Sequence, residues 1–140
     1  MIAPMNILET DYWCLLLPSE WVVDQDAGFV RIFDQDEVSE LSFTTLIRDK
    51  DVSIQTEVLQ LANSQSPEGS IWKPVTIGEF EGVTGSLRDD NEVIREWYVS
   101  RAFTLLYVTY ICGYQHAGID DFAINEILST LVSGDALKNG

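Results

Sequence analysis

Basic residues and histidine are scarce in this chain. Eight lysines and arginines stand against 23 aspartates and glutamates, with a single histidine, for a formal net charge of −15. So negative a surface repels phosphate backbones and anionic lipid, which disfavours nucleic acid and membranes as partners. One histidine also leaves little for acid–base chemistry near neutral pH. There is no G-x-S-x-G elbow, no phosphate-binding loop and no G-x-G-x-x-G turn, so no cofactor is expected. No apolar run approaches the roughly 18 residues that mark a membrane-spanning helix. The opening "MIAPMNILETDYW" lacks the basic and apolar regions of a signal peptide. The expectation is a cytoplasmic protein with no membrane insertion. The two cysteines, Cys14 and Cys112, lie far apart inside apolar runs and read as reduced core residues.

What is present is globular. The 140 residues are 46% hydrophobic, and a chain of this length buries roughly 65–70% of its unfolded surface. One domain over residues 1–140 is expected, with an ordered core from about Tyr12 to Ser133 and short flexible termini. "YWCLLLP" is a short apolar run stopped by proline, hence a strand. "GFVRIFD" and "SELSFTTLIRD" alternate as strands do. From Asp51 the period changes: Ile54, Val58, Leu61 and Ala62 fall on one helical stripe. Strands resume in "WKPVTIGEFEGVTGSLRDDN", "EVIREWYVS" and "FTLLYVTYIC". The last two are apolar on both faces, as central strands are. Ile119, Ala123, Ile127, Leu128 and Leu131 form a second helical stripe, with Asp120 as its cap. Hairpin-length connections imply antiparallel pairing. The expected fold is α+β, a largely antiparallel sheet of six to seven strands sandwiched with two main helices.

The candidate sites are few. Cys112 and His116 are four residues apart, but no lysine or arginine beside Cys112 would stabilise a thiolate. Cys112 continues the strand face of Thr104, Leu106, Val108 and Tyr110, which makes it a core residue. A structural zinc site would need four ligands, and the sequence offers no such set. The turns around Asp24 and Asp26, and around Asp34, Asp36 and Glu37, lack the ligand series of a calcium loop. No metal is expected. The charge is uneven, however: Met1 to Ile47 contains nine acids and one base, Arg31. That negative field points to a protein partner with a basic surface. Trp21 and Trp72 stand beside loops, where a tryptophan can anchor an interface or close the core. Trp13 and Trp97 lie inside strand patterns and read as core. The partner-binding set is therefore Trp21, Asp24, Asp26, Asp34, Asp36, Glu37 and Trp72.

The succession "LLLPSEW", "LSFTTLIRD", a helix, "GVTGSLRDD", "REWYVSRAFTLLYVTYIC" and a closing helix resembles the PsbP-like fold, from Tyr12 to Leu131. That fold is shared by the photosystem oxygen-evolving subunit, a yeast factor acting on the Ran GTPase, and small bacterial proteins, some of them adaptors for secretion effectors. The resemblance implies a non-catalytic binding module: a bacterial secretion-effector adaptor, chaperone or immunity protein, acting through the acidic face. A competing reading is a small enzyme or small-molecule-binding domain with a pocket between sheet and helix near Cys112 and His116.

Overall fold

The computed structural model describes residues 5–26, 28–33, 39–47, 72–88, 91–113 and 121–135. In chain order the elements are β1 (Met5–Glu9), β2 (Trp13–Pro18), β3 (Val22–Asp26), β4 (Phe29–Phe33), β5 (Ser39–Ile47), β6 (Lys73–Ile77), β7 (Phe80–Arg88), β8 (Glu92–Arg101), β9 (Thr104–Gly113), α1 (Asp121–Ser129) and β10 (Val132–Ser133). Seven strands form one antiparallel sheet in the order β3-β4-β5-β9-β8-β7-β6, and three form a second in the order β1-β2-β10.

The long strands follow from their alternation. In β9, Leu106, Val108, Tyr110 and Cys112 point to the main core, while Leu105 and Tyr107 point to the other face of the sheet. β9 is the central strand, paired with β5 along Ser39 to Ile47 and with β8 along Glu92 to Arg101. β8 and β9 join through a two-residue turn, Ala102-Phe103, with Ala102 at φ 53°. Two-residue hairpins need such a left-handed residue because its twist matches that of the strands.

The small sheet covers the inner face of the large one. Trp13 is fully buried, stacked on Phe43 of β5 with ring centroids 4.6 Å apart. Its indole N–H donates to Thr45 Oγ1 at 2.9 Å. Leu15 and Leu17 follow on the same face of β2. Helix α1 adds Ile124, Ile127 and Leu128 to this core. At the helix end, Thr130 Oγ1 accepts from the Leu16 N–H at 2.9 Å and donates to the Ile127 carbonyl at 2.7 Å. The far end is held by Glu79, whose N–H donates to the Leu131 carbonyl at 2.9 Å. The Glu79 carboxylate accepts from the Ser133 N–H at 2.7 Å. Trp97 is buried too, as expected from its place in β8.

The expectation of an α+β sandwich with two main helices is corrected. The described residues hold ten strands in two antiparallel sheets and one helix of nine residues, so the fold is mostly β. The stripe from Asp51 to Ala62 lies outside the described residues, as does Asp120. The physical reason is that the covering layer is largely a sheet. β1, β3 and β10 are short or polar, and their weak alternation hides them in the sequence. β3, Val-Val-Asp-Gln-Asp, is exposed at every residue and looks like the start of a turn.

Trp13→Ala is expected to cost roughly 3–5 kcal/mol, the usual loss for a buried tryptophan. Urea unfolding measures it. A loss under about 1 kcal/mol is typical of surface positions and would mean that the small sheet is not held by this ring.

Candidate functional site

The site begins at the β1–β2 turn. Thr10 closes that turn twice: its side chain donates to the Trp13 carbonyl at 2.7 Å and accepts from the Trp13 N–H at 3.0 Å. The turn therefore projects Glu9, Asp11 and Tyr12 over the ends of β3, β4 and β5. The chain returns beside it after β10, where the Gly134 N–H donates to the Tyr12 carbonyl at 2.9 Å. Only glycine fits here, since a Cβ on Gly134 would lie 2.4 Å from the Asp11 carbonyl oxygen. Asp135 is thereby set beside Asp11.

The result is a cleft of about 470 Å³ at the open end of the two sheets. Glu9, Asp11, Asp26 and Asp135 supply four carboxylates to its lining, and among the described residues no lysine or arginine lines it. Tyr12, Phe29, Val30 and Ile47 add apolar and aromatic wall. Among the described residues no three His, Cys, Asp or Glu side chains gather closely enough to hold a metal. The carboxylates are spread around a mouth rather than converging on a point. Such a site suits an extended or organic cation better than a dehydrated metal ion.

The expected binding residues fall in different places. Asp26 lines the cleft. Asp24 lies next to it on β3 and forms an ion pair with Arg31, which also has Glu40 at 3.6 Å. The hydrogen bond to Asp24, with the charges of Asp24 and Glu40, raises the pKa of the Arg31 guanidinium. Trp21 is half-buried against the main core. Trp72 is half-buried on the opposite face of the large sheet, its ring edge-on to Tyr98 at 5.5 Å. Asp34, Asp36 and Glu37 lie outside the described residues, as does His116. Cys112 is buried on the core face of β9, opposite Ser39 and Val93. It lines neither this cleft nor a second cavity bounded by Gly78, Glu79, Glu81 and Arg101. Glu9, Asp11 and Asp135 were missed. The E-T-D run was a visible sign, but only the pairing of β10 with β2 brings Asp135 to it.

The opposite face of the large sheet carries a smaller cluster of Tyr98, Leu105, Trp72, Val83 and Tyr107. There the Tyr107 hydroxyl donates to Glu96 Oε2 at 2.6 Å. Burial, then the bond to Glu96, raises the Tyr107 pKa well above its ordinary value. Burial and the Glu96 charge raise Tyr98 as well.

The architecture is a PsbP-like fold, and solved structures share it. A protein from Bacteroides thetaiotaomicron VPI-5482, known from a crystal structure, superposes with a TM-score of 0.65 at 14% identity. The alignment covers 95% of this chain and 49% of that one, so the chain spans about half the length of the Bacteroides protein. The solution structure of CyanoP, the cyanobacterial PsbP of Synechocystis sp. PCC 6803, superposes with a TM-score of 0.53 at 13% identity, covering 95% of this chain and 94% of that one. No family model matches the sequence, and no curated protein is similar to it.

The tyrosine pair carries a pH prediction. Above the ordinary tyrosine value of 10.0, the unfolded chain loses phenolic protons that the folded chain keeps. The folded state then binds more protons, so stability falls as pH rises. The urea midpoint should hold from neutral pH to about 9 and fall above about 10. The Tyr98→Phe/Tyr107→Phe variant should fall less steeply. An equal fall in both proteins would assign the effect to other groups.

Proposed function

We propose that this chain is a non-catalytic, cytoplasmic protein-binding module that receives a cationic segment of another protein at the cleft between the β1–β2 turn and the β3–β4 hairpin. The observation that carries this reading is the cleft itself: four carboxylates, aromatic walls and, among the described residues, no basic side chain in the lining. Arg31, the base nearest to Asp24 on the adjoining strand, is engaged by Asp24 and Glu40, so it does not neutralise the mouth. Each exposed carboxylate alone contributes little, but several of one sign around a low-dielectric wall raise the local concentration of a cation and its on-rate. The PsbP-like fold fits a binding module, although fold does not by itself determine function. Cys14 and Cys112 form no disulfide, which suits a reducing compartment. Within this reading the chain acts as an adaptor, chaperone or immunity protein of bacterial type, holding a basic partner until it is delivered or keeping it inactive.

The test uses a short lysine-rich peptide as probe and stopped-flow fluorescence as readout. Neutralising the cleft (Glu9→Gln, Asp11→Asn, Asp26→Asn, Asp135→Asn) should slow association about tenfold at low salt and flatten its salt dependence, because rim charges act mainly on the on-rate. A control variant with the same net charge (Glu20→Gln, Glu81→Gln, Glu92→Gln, Glu126→Gln) should retain most of the wild-type rate. Equal slowing in both variants would mean that net charge alone attracts the probe and that the cleft has no special role.

A further inference from the structure

We propose that β3 is an open docking edge at which an extended, basic segment of the partner adds as an eighth strand of the large sheet. The inference rests on the cleft reading above and gives it a binding mode. β3 is the end strand of the seven, with β4 as its partner. All five of its residues are exposed, and no described element other than β4 pairs with it. An edge strand exposes a row of unpaired backbone groups, and proteins normally guard such edges with lysine, proline or a bulge. The other end of the sheet is guarded in this way: β6 begins with Lys73 and Pro74. β3 has no lysine and no proline, and its five residues pair with β4 in unbroken register.

Charge selects the occupant. Asp24 and Asp26 share one face of β3 with Val22, opposite Arg31 and Phe29 of β4. A strand laid on this edge sets alternate side chains beside those two carboxylates, while the intervening ones meet Val23 and Gln25. A second copy of the chain is a poor occupant. Antiparallel self-pairing centred on Asp24 would put Asp24 against Asp24 between molecules of charge −15, and like charges directly opposite destabilise a pair. A segment alternating basic with apolar or small residues answers both faces. Gln25 and Asp26 also line the cleft, so the added strand runs from the edge directly into the acidic mouth. Main-chain bonds then supply affinity and the alternate side chains supply specificity, as in other strand additions.

The probe is a peptide alternating lysine with valine and threonine, compared with the same peptide N-methylated at every residue, which keeps the charge and removes the donors. Amide exchange and chemical shifts of the full chain are followed by NMR. The unmodified peptide should slow exchange at amides within Val22–Asp26, and N-methylation should weaken binding at least about tenfold, the equivalent of one or two lost hydrogen bonds. Equal binding of both peptides, protection confined to β1 or β6, or no binding would overturn the proposal. So would β3 protection that rises with the concentration of the protein alone, because the occupant would then be a second copy. The two readings fail separately. Binding lost on cleft neutralisation but indifferent to N-methylation leaves the cleft and removes the strand addition. Protection of β3 that survives cleft neutralisation does the reverse.

Discussion

Trp13 is the joint on which both sheets depend. Its ring lies flat on Phe43, and its one polar atom is satisfied by Thr45, so a large aromatic surface is buried with no stranded donor. That contact sets the distance and angle at which the β1-β2-β10 layer sits over the seven-stranded sheet. Everything in the cleft inherits that placement. The β1–β2 turn overhangs β4 and β5 because the next residue of β2 is anchored below it. Asp135 reaches Asp11 because β10 pairs with β2, and Gly134 lets the chains touch. Glu79 holds the opposite end, tying the β6–β7 turn to Leu131 and Ser133.

Against that rigid frame the charge is lopsided. Acids gather where the frame opens, on β3 and around the β1–β2 turn. Repulsion between them weakens the folded state, and exposure to water and salt keeps that cost small. In return the open end of the molecule carries a negative field over an aromatic wall and an unguarded strand edge. These three features lie side by side on adjoining strands.

Much of this was legible in the sequence, and the limits are physical. β8 and β9 stand out as long apolar runs because both of their faces are buried or partly buried, and the burial of Trp13, Trp97 and Cys112 followed from their positions in apolar runs. β3 escaped because an edge strand exposed on both sides has no hydrophobic period to read. The covering layer was legible in part: β2 reads as an apolar strand stopped by proline and the stripe at Ile127 and Leu128 as the closing helix, while β1 and β10 are too short to show a period. Asp26, singled out by charge density alone, lines the cleft. Asp135 is far from Asp11 in the chain, and only strand pairing brings them together.

The central claim is that the cleft is preformed, because the small sheet and the large sheet are one cooperative unit joined at Trp13. Native-state hydrogen exchange tests it directly. Amides of Leu15 and Leu17 in β2 should exchange with the same free energy as those of Phe43 and Val108, and a Trp13→Phe variant should lower all four together. If the β2 amides exchange through a separate opening of markedly lower free energy while β5 and β9 stay protected, the small sheet is a loosely docked flap and the account is wrong.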